Sequence, residues 1–521
     1  MNNEIECGES FSMFSYVKSR ITKKSVLEML FCLAASTVIL FFCSRSSFFY
    51  SFNNWDDANS YFSMGRGIFR GEVPYRDLFD QKGIMLYMLY GLAYLFSRET
   101  FHGVFFIGII LFAFTLLGFI RICQLFSNRS MVYFMAPIFG AFVASSRAFY
   151  WGGSAEEVML PFLMWGLYIS MSYFRNVYPA PMPLRTVFIG GILAGCIFNI
   201  KFNSLGFYFG WIVMVLLAIL LGNGSQKIRR FIGAGLIFLG GMLVATIPWI
   251  IYFMVNHAVY EWLHVYLYLN IFVYSESVPF ALRIFNMVKT IYNQMWNNIL
   301  FAIWIIWGFE YFFIKALKGK RILLEFCNLF CMLFFQLLII FIGGVDLPYY
   351  PLPVSIFACL GFISLIAERG KLIHPLKHRK MLITFGFVEA FVLTMLIIFA
   401  FSANISYHKY KKEDLVVYKY ADIINKSGVE NPTILDMNCL DAGLYTVTGA
   451  VPNCYFFQTQ TIHLDEVNEM QSRDIHSGNI DFIIARDEYP YGTEDHYKLI
   501  SKDEQTLNGD KHVYYLYEKV R

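Results

Sequence analysis

The chain has 521 residues, of which 57% are hydrophobic and only 15% charged, and its formal net charge is +4. Water-soluble domains have about 25% charged residues, so this composition predicts a membrane protein. The composition argues against nucleic-acid binding, because no extended basic face is available to replace phosphate counterions. The aromatic share of 19% is typical of rings at the membrane–water interfaces.

The first predicted span follows a basic segment that contains Lys18, Arg20, Lys23 and Lys24. The apolar run Val26–Tyr50 is too long for a signal-peptide core and has no clear cleavage site, so it should remain in the membrane. Its basic flank predicts a cytoplasmic N-terminus. Ten further runs of spanning length are Val104–Ile122, Met131–Arg147, Glu157–Phe174, Thr186–Ile200, Phe202–Gly222, Phe231–Val255, Gln294–Ile314, Ile322–Gly343, Pro351–Ala367 and Met381–Ser402.

The loops between these runs alternate in charge. Basic loops occur at Arg121–Arg129, Arg175–Arg185, Lys227–Arg230, Lys315–Arg321 and Arg369–Lys380. The alternation fits the positive-inside rule if Gly83–Phe96 does not cross, and a helix of that length is ~20 Å, shorter than the ~30 Å hydrocarbon core. We therefore expect a mainly α-helical bundle of about 11 to 13 spans, whose C-terminal tail lies outside the cytoplasm.

The tail differs abruptly from the rest of the chain in composition. Glu413–Ser427 predicts an amphipathic helix, and three strands are predicted at Pro432–Met437, Ile480–Ala485 and His512–Lys519. We expect a transmembrane domain at 1–402, with a first outward loop at 51–82, and an extracytoplasmic α/β domain at 403–521. The sequence has no paired CxxC motif, which argues against a zinc or iron–sulfur site. Whether Cys439 and Cys454 form a disulfide is left open.

Asp56 and Asp57 lie directly after the first span. Tyr61, Met64 and Ile68 follow Asp57 at i+4, i+7 and i+11. This spacing predicts an amphipathic helix on the membrane surface, interrupted by Gly65, Gly67 and Gly71. An isolated aspartate at a helix start stabilises the helix dipole and needs no further role. Two adjacent carboxylates differ, because their repulsion raises one pKa toward the range of a general base.

Two lysines lie at predicted membrane boundaries on the outward side. Lys82 enters the apolar phase after a segment that also contains Arg76, and it either snorkels to the headgroups or binds a lipid phosphate. Lys201 interrupts an apolar stretch between two spans. An unpaired ammonium costs ~2.5–3.5 kcal/mol at mid-membrane depth and less near the surface, so Lys201 needs a carboxylate or a lipid-borne phosphate.

Further outward candidates begin with Glu156 and Glu157, at the start of a span. Ser154 as an N-cap with two first-turn acids explains them without function, although they should share a membrane face with the aspartates. Later loops add Tyr260, His264 and Tyr349, which suit either a sugar or headgroup site or an interfacial aromatic belt.

The order of these features resembles the C superfamily of membrane glycosyltransferases. The branch with the most similar pattern contains protein O-mannosyltransferases and the transferases that attach aminoarabinose to lipid A. The resemblance rests on Asp56-Asp57, Gly71–Asp77, Asp80–Gly83, Glu156-Glu157, Asn199–Lys201 and Tyr260–His264. Two positions depart from the family pattern: the second acid is Asp57 instead of Glu, and Ile84 stands where Pro is common.

The resemblance implies transfer of a sugar from a polyprenyl-phosphate donor to an acceptor hydroxyl, with inversion. Asp56 or Asp57 would be the general base, and Glu156 or Glu157 would stabilise the positive charge that develops at the anomeric carbon. Lys82 and Lys201 would stabilise the departing phosphate. Candidate substrate contacts are Tyr61, Arg76, Tyr260, His264 and Tyr349.

No cofactor is certain. Related enzymes differ in their need for a divalent cation, which Asp56, Asp57 and Glu156 could bind. The acceptor is left open among lipid A, a cell-wall polysaccharide, a teichoic-type polymer and a protein hydroxyl. The size and the single tail favour a bacterial plasma membrane.

Two other functions fit part of the pattern. A flippase for polyprenyl-linked sugars would also place charges at membrane depth, but usually near mid-membrane and often in two repeated halves. A scaffold for envelope assembly would leave Lys201 and the acidic pair unexplained.

Overall fold

The structure is a computed structural model that describes residues 23–127, 130–222, 225–274, 278–369, 379–462, 464–493 and 496–520, with the backbone alone at 369 and 379–383. The basic residues Lys18, Arg20 and Arg129, and those of 370–378, on which part of the predicted sidedness rests, lie outside the described residues. The described chain is mainly α-helical with one small sheet, as predicted.

Helices account for most of the chain before the tail. The α-helices are Lys23–Cys43, Asp56–Arg70, Ile84–Phe96, His102–Gln124, Met131–Ala144, Ala155–Asn176, Leu184–Ile200, Leu205–Leu221, Lys227–Val255, Val259–Leu263, Phe280–Asn297, Ile299–Ala316, Lys320–Phe341, Cys359–Arg369 and Arg379–Phe401. A π-helix spans His264–Val273, and 3₁₀ helices span Arg147–Phe149, Phe202–Ser204, Leu352–Ala358, Ala403–Lys409 and Lys412–Asp414. Each of the eleven predicted spans overlaps one of these helices.

Within the described residues, 7 helices are long and apolar enough to cross a membrane. They are Lys23–Cys43, His102–Gln124, Phe202–Leu221, Lys227–Val255, Ile299–Ala316, Lys320–Phe341 and Thr384–Phe401. Shorter apolar helices occur at Ile84–Phe96, Met131–Ala144, Leu184–Ile200 and Leu352–Glu368. The chain is therefore a multi-pass membrane protein.

Two segments differ from the prediction. The helix Asp56–Arg70 does not rest exposed on a membrane surface and is not interrupted at Gly65 and Gly67; residues 58–67 are buried. Gly65 lets this helix pack closely on Ile84–Phe96, since a Cβ there would lie 2.4 Å from the Gly91 nitrogen. The predicted loop that holds Tyr260 and His264 is helical over Val259–Leu263 and His264–Val273, because its aromatic residues repeat at helical spacing.

The tail forms a four-stranded sheet with helices Val416–Lys426, Leu444–Thr448 and Asp465–His476. The strands are β1 Ile434–Met437, β2 Phe482–Arg486, β3 Tyr497–Leu507 and β4 Asp510–Lys519, in the order β1-β2-β4-β3. β1 and β2 are parallel, and β4 pairs antiparallel with β2 and β3.

The predicted tail elements are confirmed as a helix and three strands, and one strand and two helices were missed. β3 has mostly polar residues that alternate between half-buried and exposed, so it carries little hydrophobic signal. Cys439 and Cys454 are both buried free thiols. The division of the chain at residue 402 stays a prediction.

Candidate active site

The helix Asp56–Arg70 carries the acidic pair in its first turn, and polar contacts from the tail hold it in place. Ser63 donates to Asp441 at 2.6 Å, and Ser60 donates to Gln458 at 2.5 Å. Arg66 is fully buried and donates to backbone carbonyls that include Ala450 at 2.6 Å. Because buried polar groups must be paired, these bonds fix the helix in one position under the tail.

Asp56 is bound by an arginine from the tail. The Arg486 guanidinium donates to both carboxylate oxygens of Asp56, at 3.0 and 2.6 Å. Burial raises the pKa of Asp56, and the nearby Arg486 charge opposes that rise. A bidentate pair of this kind leaves the carboxylate little freedom to accept a proton from a substrate.

Asp57 lines the same cavity as Asp56 but has a different partner. Its Oδ2 accepts a hydrogen bond from the Tyr349 hydroxyl at 2.7 Å. Burial lowers the pKa of Lys82, but the neighbouring Asp57 and Asp80 carboxylates outweigh burial and hold that pKa above its usual range. Asp57 and Lys82 line the same cavity, close enough for the carboxylate to stabilise the ammonium.

Lys201 has the carboxylate that its position requires. Its Nζ lies 2.5 Å from Glu156 Oε1, and Glu156 is 1% exposed. The same ammonium lies 4.0 Å from the centre of the Tyr350 ring, a cation–π contact. The other Glu156 oxygen is buried without a hydrogen-bond partner.

A close backbone approach brings the two lysines together. The Gly83 amide donates to the Ile200 carbonyl at 2.9 Å, so Lys82 lies beside Lys201. A Cβ at Gly83 would lie 2.1 Å from the Asn199 carbonyl oxygen, so only glycine allows this contact.

Two cavities meet at Lys82. One of about 340 Å³ lies between the acidic pair and the tail, and Asp56, Asp57, Tyr349 and Arg486 line it. A second of about 300 Å³ lies among the membrane helices. It is lined by Lys82, Lys201, Tyr266, Asn270, Arg283, Ile339, Ile340 and Ile342, among others. Lys82, Tyr274 and Tyr350 line both.

The remaining predicted site residues lie elsewhere. Glu157 accepts from the Gly153 amide at 2.6 Å and lines a separate cavity of about 20 Å³. Arg76 bonds to Asp77 and to the Asn256 carbonyl, outside the lining of both large cavities. Tyr260 is 72% exposed and stacks on His264, also outside that lining.

Tyr61 is fully buried behind the site, with its ring centre 5.8 Å from Lys82 Nζ. It therefore supports the ammonium without lining either cavity.

Sequence reasoning missed several residues of the first cavity. Arg486, His512 and Gln505 come from the sheet of the tail, more than 400 residues from the acidic pair. Tyr274 follows the π-helix His264–Val273. None belongs to a local motif, and only the strand pattern around His512 gave a weak signal.

The described residues contain no group of three or more His, Cys, Asp and Glu side chains placed to hold a metal ion. Of the three acids considered for a cation, Asp56 binds Arg486 and Glu156 binds Lys201. The donor set therefore does not fit a divalent cation.

Comparison with known proteins gives a likeness in structure alone. No family model and no curated protein matches the sequence. ArnT from Cupriavidus metallidurans, bound to undecaprenyl phosphate, matches with a TM-score of 0.56 and 12% identity over 95% of this chain and 98% of that one. Its apo structure matches with the same score and identity, over 95% and 97%.

The Archaeoglobus fulgidus oligosaccharyltransferase, in a structure with Zn and sulfate, covers 92% of this chain and 72% of its own at 11% identity. Its TM-score of 0.38 is too low to support an argument. ArnT is a lipid A aminoarabinose transferase. The predicted resemblance is thus confirmed for the fold: this chain has the fold of ArnT.

Proposed function

We propose that the chain is a membrane glycosyltransferase that moves a sugar from a polyprenyl-phosphate donor to an acceptor hydroxyl. The observation that carries the proposal is the meeting of two cavities at Lys82, one beside the acidic pair and one among the membrane helices. A carboxylate and an ammonium lie at that junction. A base and a phosphate-binding group can therefore act together on the bond between the sugar and the phosphate.

The cavity among the membrane helices suits the donor. Lys82 and Lys201 supply positive charge for a phosphate, and Ile339, Ile340 and Ile342 give it an apolar side for a prenyl chain. The similar ArnT structure is bound to undecaprenyl phosphate, which supports this choice of donor. Glu156 would hold Lys201 in place and contribute negative charge near the reacting carbon.

Asp57 is our choice for the general base, because Asp56 is engaged by Arg486. As the acceptor oxygen forms its bond to the anomeric carbon, its proton passes to the Asp57 carboxylate. The bond from that carbon to the phosphate oxygen breaks, and its electron pair stays on the phosphate beside Lys82. Attack from the face opposite the phosphate inverts the anomeric centre. Glu157 has no role in this step.

We infer that the reaction occurs on the extracytoplasmic side of a bacterial plasma membrane, with the N-terminus in the cytoplasm. The inference rests on the alternating charge of the loops and the polar tail that covers the acidic pair.

The donor site is tested with undecaprenyl phosphate and purified protein in lipid nanodiscs. Lys82→Ala should weaken binding about 10- to 100-fold, the equivalent of about 1.5–3 kcal/mol for a charge-assisted hydrogen bond. Lys227→Ala is the matched control, because Lys227 donates to the Leu220 carbonyl in another part of the chain. Equal affinities of the Lys82→Ala variant and the unaltered protein would contradict the donor site.

Transfer is separated from flipping by the fate of the lipid. A transferase converts the polyprenyl-phosphate-linked sugar to polyprenyl phosphate, whereas a flippase moves it across the bilayer intact. Mass spectrometry of the lipid, after incubation of the purified protein with membranes that supply the acceptor, distinguishes the two functions.

A further inference from the structure

The hairpin of β3 and β4 forms one wall of the cavity beside the acidic pair. Strand residues two apart share a face, and Gln505 lies opposite His512 while Leu507 lies opposite Asp510 in the register. All four of these side chains line the cavity, together with Tyr514. The part of this hairpin face nearest the turn therefore points at the acceptor side of the proposed reaction.

This wall is held firmly by its neighbours. The hairpin turns at Asn508 and Gly509, both at positive φ (52° and 99°), as a tight two-residue turn requires. The Asn508 amide donates to the Tyr410 hydroxyl at 2.7 Å, and Gln505 accepts from the Val416 amide at 2.7 Å. The side chains on the cavity face are thus presented in a fixed arrangement.

Aromatic rings form a second wall of the cavity. Tyr150 and Trp151 stack with their centres 4.9 Å apart, and Trp55 lies edge-on to Tyr150 at 5.2 Å. Together with Tyr349, these rings line the same cavity. Such ring surfaces suit the C–H faces of a pyranose, while the polar side chains of the hairpin suit its hydroxyl groups.

The charges around this cavity are largely committed to partners within the protein. Arg486 is held by Asp56, and His512 lies 2.8 Å from the Asp487 carboxylate. Asp510 adds a carboxylate to the lining. Lys82 lies at the junction with the donor cavity, where the proposed phosphate needs it.

One further cation lies behind the aromatic wall. Arg45 is 2% exposed, bonds to Asn54 and Asn404, and is sandwiched between Trp151 and Tyr407. A side chain buried and bonded in this way cannot reach a phosphate in the cavity.

Because the charges around the cavity are already paired, we propose that the acceptor is a neutral saccharide chain, and that the cavity face of the hairpin selects it. The inference rests on the proposed transferase function. A phosphate-bearing polymer would meet carboxylates at this cavity. In the described part of the site, it would find no cation that is not already paired or assigned to the donor phosphate. A neutral glycan needs only ring faces and hydrogen-bonding side chains, which both walls supply.

The test compares envelope fractions from a deletion strain that produces the wild-type protein or Asp57→Asn. Neutral polysaccharide, phosphate-containing polymers and lipids, and proteins are separated and analysed by mass spectrometry. The expected result is a sugar increment on the neutral polysaccharide of the wild-type strain that is absent with Asp57→Asn. An increment confined to the phosphate-containing or protein fraction would overturn the neutral acceptor and leave the transferase intact. No increment in any fraction would overturn both.

Variants of the hairpin test its role. His512→Ala and Asp510→Ala should each lower the occupancy of the sugar on the neutral polysaccharide about tenfold. Lys511→Ala is the matched control: Lys511 lies on the other face of β4, in an exposed pair with Glu504 at 2.7 Å, and its loss should leave the occupancy unchanged. Each protein is compared at equal amounts in the membrane, with His512→Gln as a conservative variant. Wild-type occupancy in both alanine variants would refute selection by the hairpin.

Discussion

Removing Arg486 should loosen the tail from the helix that carries the acidic pair. The guanidinium makes two hydrogen bonds to Asp56, and the two side chains are only 19% and 21% exposed. Leaving one partner of a fully buried pair without the other costs about 3–5 kcal/mol. Because about a fifth of each side chain reaches solvent, we expect about 2–3 kcal/mol for Arg486→Ala.

Hydrogen exchange measures this loss directly. Amides in the first turn of Asp56–Arg70 and in β2 should exchange about 30- to 150-fold faster in Arg486→Ala, since each 1.4 kcal/mol is a factor of ten. Arg486→Lys should lie between the two proteins, because lysine keeps the charge but not the two-pronged contact.

The control removes a charge pair that solvent screens. Lys426→Ala breaks an exposed pair with Asp422, at 74% and 60% exposure, so exchange should remain within about threefold of the original rate. Exchange in Arg486→Ala that matches this control would refute the idea that the tail fixes the acidic pair.

Two further predictions concern the segment before the helix Ile84–Phe96. Burial raises the pKa of Asp80 to about 6, above its usual 3.8, so its contribution to stability falls as pH rises between these values. Asp80→Asn avoids that loss. Relative to the wild type, its free energy of unfolding should therefore rise by on the order of 2–3 kcal/mol as the pH increases from about 4 to about 7. A difference in thermal unfolding that does not change with pH would count against the buried carboxylate. Gly83→Ala should lower both the melting temperature and the affinity for undecaprenyl phosphate, because its Cβ meets the Asn199 carbonyl. Gly319→Ala, with nothing within 4 Å of the new Cβ, should change neither, and equal effects of the two would contradict the close approach.

Much of the membrane fold could be predicted from the sequence, because long apolar runs identify helices without tertiary information. The proximity of Asp57 and Lys82 could also be predicted, since both lie in one predicted loop of about thirty residues. The need of Lys201 for an anion followed from its position, and the structure supplies Glu156.

The rest depended on tertiary contacts that no local pattern encodes. Glu156 and Glu157 are neighbours in sequence but lie about 100° apart around a helix, so only one contacts Lys201. The sequence does not distinguish Asp56 from Asp57. In the structure they differ, because Arg486 from a distant strand binds Asp56. Tyr260 and His264 have the residue types of a sugar site, yet they lie outside the lining of both large cavities.

The most direct test of the central claim follows the lipid donor itself. Membrane vesicles from cells that lack the protein contain both substrates, and mass spectrometry detects conversion of polyprenyl-phosphate-linked sugar to polyprenyl phosphate when purified protein is added. We predict conversion by the wild type, a loss of about 10²- to 10⁴-fold in Asp57→Asn, and retained binding of undecaprenyl phosphate in that variant. Full conversion by Asp57→Asn, or transport of the intact lipid by a wild type that converts none of it, would contradict the account.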